Sequence, residues 1–170
     1  GFVMANSASD ASYSEMEIRK KLIEEGAVDV IISIGSNFFY TVTLPCILWF
    51  LDKRKKDTER NDTVLFLDAR QIYRQIDRSH RGFTQEQISF LSSIVHLYRE
   101  EDLNGYTFKP EGLNLPDVQI KHFRHLFTEG VYKDIPGFCK VANQIDIEEQ
   151  NWSLNPGRYV GITERNIDEI

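Results

Sequence analysis

Cysteine is scarce in this chain: Cys46 and Cys139 are the only two. They lie far apart, with neither the paired spacing of a zinc site nor that of a redox motif, so two idle thiols in a reducing cytoplasm are expected. Long apolar runs are also missing. The longest, Leu44–Leu51, falls far short of the roughly 20 residues a membrane helix needs, so no membrane span is expected. No secretory leader is visible, because a charged helical pattern soon follows the short apolar run Gly1–Ala5. Repeats and low-complexity segments are absent. So are the Gly-x-Gly-x-x-Gly turn, the phosphate-cradling P-loop, the Gly-x-Ser-x-Gly elbow and the His-Glu-x-x-His zinc helix. The residues by themselves spell out no recognisable active site.

What the chain does contain is a pair of apolar, β-branched runs on either side of an aromatic cluster. Val28–Ile34 and Val42–Leu51 flank Gly35-Ser36-Asn37 and the triplet Phe38-Phe39-Tyr40. Both runs are too continuously apolar for a strand with one wet face, which predicts a sheet covered on both sides. The link between them is too short for a helical crossover, so the two strands are expected to be antiparallel. Phe2–Ala5 reads as a further short strand, and the chain opens inside it, as a piece of a longer protein would. With a polar loop over residues 6–12 and a helix from Ser14, residues 2–34 form a β-α-β unit, which favours parallel strands. Ser14-Glu15-Met16-Glu17 has capping-box form, and Gly26 suits the helix's end.

Further along, Lys53–Asn61 reads as a charged surface loop and Thr63–Leu67 as a strand ending at Asp68. Gln71–Arg78 is predicted helical, which would stack Arg70, Arg74 and Arg78 at four-residue spacing. Thr84-Gln85-Glu86-Gln87 resembles a second capping box, and Ile88, Leu91, Ile94, Val95 and Tyr98 then recur at helical spacing. Residues 100–118, with Gly105, Pro110, Gly112 and Pro116, read as loop. A helix over 118–127, a short strand over 137–142, a helical turn over 145–150 and a turn at Asn155-Pro156-Gly157 complete the pattern. At 170 residues the chain suits one domain. The expected division is 1–99, then a loop or insertion with a helix over 100–130, then an extension of the same domain over 131–170.

Net charge is −6, yet from Lys53 to Arg81 nine Lys or Arg face five Asp or Glu. An acidic protein can carry a basic face for phosphates in this way, although a solvated surface gives the same pattern. Arg70, Arg74, Arg78 and Arg81, with His80, are the candidate phosphate contacts; Asp68 and Asp77 among them would take part of the charge in surface pairs. Phe38, Phe39 and Tyr40 either stack on a planar ring or plug the end of the sheet. Lys121, His122, Arg124 and His125 make a second basic patch that fits a surface helix better than a metal site.

Taken together, Gly1–Asp10, the helix Glu17–Ile23, Asp29–Asp52, Val64–Arg74 and Trp152–Val160 resemble the modification (methylase) subunit of type I restriction–modification systems, which are adenine-N6 DNA methyltransferases. The resemblance spans all but residues 100–130. It implies an α/β fold: the C-terminal portion of a Rossmann-like, S-adenosylmethionine-dependent methyltransferase sheet with one antiparallel strand, followed by helices. It also implies methyl transfer from S-adenosylmethionine to an adenine flipped out of double-stranded DNA. The family's cofactor-binding and Asn-Pro-Pro-aromatic motifs precede the matched region, so no catalytic or cofactor residue carries over, and this part alone is expected to be inactive. Phe38, Phe39 and Tyr40 would sit where related enzymes put an aromatic against the flipped base, with Asn6 lining the same pocket. The implied partners are a DNA-specificity subunit and a restriction subunit. Two other readings stand beside this one: a non-catalytic scaffold that docks the specificity subunit through the region after Asp68, and an α/β domain of unknown ligand.

Overall fold

The computed structural model describes residues 1–162. Strand β1 (Phe2–Ala5) runs straight into a short helix α1 (Asn6–Asp10), followed by α2 (Ser14–Glu24), β2 (Val28–Ile34), β3 (Cys46–Leu51) and β4 (Thr63–Asp68). Then come the two-residue strands β5 (Arg74–Gln75) and β6 (Arg81–Gly82), α3 (Gln85–Tyr98), α4 (Asp117–Glu129), β7 (Cys139–Asn143) and α5 (Gln144–Glu149). No helix among the described residues is long and apolar enough to cross a membrane.

The main sheet has the order β1-β3-β2-β4-β7. As the short link predicts, β3 runs antiparallel to β2, and it is antiparallel to β1 as well. Hence β1 and β2 share a direction, but β3 lies between them rather than their being neighbours. Strand β4 pairs parallel to β2, with Val30 opposite Leu65 and Ser33 opposite Asp68. Strand β7 adds a second antiparallel partner beyond β4.

Alternation along β2 and β4 explains their unbroken apolarity. Val30, Ile32, Ile34, Leu65 and Leu67 face one side, where Phe90 and Ile94 of α3, Phe123 and Leu126 of α4, and Phe138 cover them. Ile31, Val64 and Phe66 face the other, under Ile23 of α2, Ile147 of α5, Trp152, Leu154 and Tyr159. Neither face is wet, so no polar residue is needed at alternate positions.

Local signals fared unequally. Thr84 and Gln87 form the expected capping box on α3, each side chain accepting from the other's backbone N–H at 3.1 and 2.8 Å. Gly26, at φ 68°, ends α2 region as expected and donates to the Ile23 carbonyl. The box at Ser14 does not form: Tyr13 takes the cap position at φ 60°, and the Ser14 hydroxyl donates to Glu15 instead. The polar stretch from Asn6 is helical to Asp10, because Ser9 is buried and bonds the Trp49 indole N–H while Ala8 accepts from Arg19.

The Lys53–Asn61 loop is not wholly a surface feature. Lys55 is 1% exposed, and its ammonium donates to the carbonyls of Val28 (2.6 Å) and Thr63, closing the amino ends of β2 and β4. Burial lowers its pKa to about 8. Beside it the fully buried Asp29 carboxylate accepts from Arg60 at 2.9 Å and from Arg99 at 3.0 Å, joining β2, the Lys53–Asn61 loop and the residue capping α3. A buried carboxylate with two guanidinium partners is costly to orphan. Asp29→Ala is expected to destabilise the fold by about 2 kcal/mol or more, the partial exposure of both arginines softening the loss. Urea unfolding measures it. A midpoint equal to wild type would show the cluster to be ornamental.

Candidate functional site

In open α/β sheets ligands gather beyond the carboxyl ends of the strands. Here β1, β2 and β4 all point to one end, and a cavity of about 380 Å³ lies there. Ser33 and Ile34 end β2 against it, Pro45 and Cys46 begin β3, and Asn6 follows β1. Arg70 follows β4, while Asn155, Gly157 and Arg158 close it from the tail.

The tail folds as its residue types dictate. The Asn155 side chain accepts from the Gly157 N–H at 3.1 Å, capping a single helical turn that Pro156 starts with its fixed φ. A Cβ on Gly157 would lie 3.3 Å from that same Asn155 oxygen. Tyr159 stacks on Phe66 with ring centres 4.0 Å apart and donates its hydroxyl to the Ser153 carbonyl at 2.6 Å, fastening the turn to the sheet. Asp10 ties this turn to α1: its carboxylate accepts from Ser153, from Asn155 (3.0 Å) and from the Arg158 Nε (3.0 Å). Partial burial pushes the Asp10 pKa up, but these hydrogen bonds and the Arg158 charge outweigh it and leave the group below its ordinary value.

Arg70 is held differently. Its Nε and Nη2 pair with both oxygens of Asp68, at 2.9 and 2.7 Å, and this fork favours the charged guanidinium. Gly35 makes the approach possible, since a Cβ there would stand 3.0 Å from the Arg70 carbonyl oxygen. Cys46 borders the cavity as a free thiol, its pKa raised by burial, and Cys139 is buried elsewhere with its pKa pushed up to about 12.

The expected helix over Gln71–Arg78 is absent. Residues 74–82 instead form the β5–β6 hairpin, pairing Arg74 with Gly82 and Gln75 with Arg81. Asp77 decides this: its carboxylate accepts from the Ser79 N–H at 2.7 Å and bonds the His80 ring, while the Ile76 N–H meets the His80 carbonyl at 2.9 Å. Such local side-chain turns compete with the helix and here prevail. Arg70, Arg74 and Arg78 are therefore not one stripe. Arg70 borders the cavity, and Arg74 and Arg78 stand exposed on the hairpin. Arg81 lies over the Tyr73 ring at 3.9 Å and donates to Asn37 through its backbone N–H.

The aromatic triplet is divided. Phe38 and Phe39 are half-buried against the α3 side of the core, Phe38 with its ring centre 4.7 Å from that of Phe83. Tyr40 is 87% exposed, with its ring centre 4.5 Å from His80. Asn6 and Arg70 thus meet at the cavity, whereas the triplet lies in the loop beside it and does not line it. His125 pairs with Glu129 at 3.0 Å on the surface of α4, and the described residues contain no cluster able to hold a metal ion. Ser33, Asn155 and Arg158 were not among the expected site residues; only the Asn-Pro-Gly-Arg-Tyr pattern itself signalled the tail.

The family model for N-6 DNA Methylase matches residues 1–168. The type I restriction enzyme MjaIX methylase subunit of Methanocaldococcus jannaschii is 35% identical over 95% of this chain and 24% of its own length. The HindI methylase subunit of Haemophilus influenzae is 30% identical over 99% of this chain and 31% of its own. In fold, the type I restriction-modification methyltransferase subunit of Streptococcus thermophilus superposes with a TM-score of 0.59 at 21% identity, over 93% of this chain and 25% of that one. The chain therefore spans between about a quarter and a third of the length of these curated relatives.

The Asp10 network has a pH signature. Because its folded pKa lies below the ordinary 3.8, Asp10 stabilises the fold above that value and loses the contribution as pH falls through the folded pKa. Asp10→Asn is expected to melt below wild type at neutral pH and to converge with it in acid. Thermal unfolding across a pH series reads this, and a gap of constant size would refute it.

Proposed function

The chain belongs to the N-6 DNA methylase family, and from that premise we propose that it forms the C-terminal part of the catalytic domain of a type I restriction–modification DNA adenine methylase subunit. One observation carries the reading from family to site: a polar cavity at the carboxyl ends of β1, β2 and β4, with Asn6 on its rim and an exposed aromatic ring in the neighbouring loop. In this reading the subunit draws an adenine out of duplex DNA, and the aromatic loop offers a face on which the unstacked base rests. Tyr40 is the member of the triplet with a free face; packing commits Phe38 and Phe39 to holding the loop in place.

The methyl donor would be S-adenosylmethionine, but the described residues do not fit it. Strand β1 passes into the five-residue α1 through Ala5-Asn6 with no glycine turn, and β2 and β4 lead into loops, so none of these three parallel strands opens through a glycine turn onto a helix. No residue here is assigned to the cofactor. Its site and the groups that accept from the adenine amino group belong, in this proposal, to sequence that the longer relatives carry beyond the matched quarter to third. DNA, a specificity subunit that chooses the sequence, and a restriction subunit are the proposed partners. An apolar groove of about 340 Å³ between β2, β3 and α3, bordered by Phe50, Ile88 and Val95, supports contact with another protein element.

Single replacement of Phe38, Phe39 and Tyr40 by Ala in the assembled complex tests the reading, with transfer of labelled methyl to DNA as the readout. Tyr40→Ala is expected to slow methylation about tenfold with an unchanged melting temperature, consistent with one lost base stack. Phe38→Ala is expected to lower the melting temperature first. Normal rates in all three would remove the stacking role, and an intact complex that modifies no adenine would remove the function.

A further inference from the structure

The cavity holds a polar group that the fold itself leaves unused. Ser33 is 5% exposed, sits at the carboxyl end of the central strand β2 and borders the cavity. Its backbone carbonyl accepts from the Ala69 N–H, yet no described residue bonds its hydroxyl. No buried side-chain nitrogen or oxygen among the described residues lacks a partner, so the Ser33 hydroxyl is reached through the cavity and not sealed beneath it. A hydroxyl in the wall of a polar hollow, with no partner in the fold, can donate to a group that enters it.

Arg70 and Arg158 border the same hollow, and the guanidinium group of each is held by a carboxylate. Arg70 spends its Nε and Nη2 on Asp68, and Arg158 spends its Nε on Asp10, so in both cases the Nη1 edge stays uncommitted. Asn6 borders the cavity as well. Fixed guanidinium forks, a hydroxyl and an amide are donors suited to a tetrahedral oxyanion. Because Asp68 and Asp10 cancel the two positive charges, the hollow has little net field with which to capture a free anion from water. It is better suited to an oxyanion delivered on a polymer that other contacts have already bound.

We propose that this cavity is a phosphodiester site: Arg70, Arg158 and Ser33, with Asn6 at the rim, hold one backbone phosphate of the DNA strand being worked on. The proposal rests on the reading of the chain as part of a DNA methylase, and it gives Arg158 and Ser33 a DNA-contacting role apart from the exposed arginines of the hairpin.

The test uses the complete methylase complex and a duplex containing its target, located by mapping the adenines the complex modifies. Arg158→Gln is expected to flatten the plot of log affinity against log salt by about one unit of slope, whereas Arg158→Lys keeps the slope. Duplexes with single phosphates replaced by neutral methylphosphonate locate the contact. Wild type is expected to lose affinity at one position, and Arg158→Gln and Ser33→Ala to lose little more there. Ser33→Ala serves should Arg158→Gln fail to fold, since it disturbs no hydrogen bond of the fold. Unchanged slope and an unchanged methylphosphonate pattern in both variants would overturn the site while leaving the methylase reading intact. Displacement of DNA by inorganic phosphate at constant ionic strength would mark a free-anion site and also overturn it. A wild-type complex that neither binds nor methylates the duplex would remove the functional reading, and this site with it.

Discussion

Everything at the cavity end of the sheet depends on the register between β2 and β4. These two parallel strands are buried on both faces, so each paired residue has a set partner on the facing strand and one side. A slip of one position would turn Leu65 and Leu67 toward Tyr159 and Trp152, and Phe66 toward α3, exchanging both cores at once. The same register sets Ser33 opposite Asp68, lets the Ala69 N–H donate to the Ser33 carbonyl at 2.9 Å, and so delivers Arg70 to the cavity. Packing thus fixes the polar geometry, and no polar contact at the cavity is needed to choose it.

The sheet's two ends divide the buried charge. At the amino ends, the fully buried Asp29 draws Arg60 and Arg99 inward together, and Lys55 is buried on two strand carbonyls. At the carboxyl ends, Asp68 and Asp10 each hold an arginine by one edge and leave the other outward. The first arrangement turns its cations inward to close the fold. The second keeps them at the surface. Charge alone does not separate the ends, since both pair carboxylates with guanidinium groups; what differs is exposure, with the Arg60 and Arg99 side chains 20% and 30% exposed against 55% and 48% for Arg70 and Arg158.

Periodicity carried the sequence reading wherever burial sets the structure. The covered strands, the antiparallel return of β3 and the capped helix α3 follow from apolar pattern, link length and the Thr84–Gln87 spacing. It failed where a short-range polar contact outcompetes pattern. Arg70, Arg74 and Arg78 have helical spacing, but a single Asx turn at Asp77 converts the segment to a hairpin. Lys55 looks like one cation in a charged loop because nothing local announces the two carbonyls it meets across the sheet. The cavity was half legible: Asn6 and Arg70 lie where short connections from strand ends put them, while Arg158 arrives from 148 residues beyond Asp10, a distance over which spacing carries no information.

Two classes of arginine then suggest a division of work within the proposed function. Arg74 and Arg78 are exposed and make no ion pair among the described residues, so their field extends about a Debye length into solution and favours approach of a polyanion. Arg70 and Arg158 are neutralised in place and act only at contact distance. A site that attracted phosphate strongly by itself would bind any stretch of backbone and resist release. One that is neutral until a strand has been seated contributes orientation instead of bulk affinity. If the chain works on DNA as proposed, it must pass many phosphates before acting beside one; the weaker and more directional arrangement is then the useful one, and a carboxylate behind each arginine is how this fold obtains it.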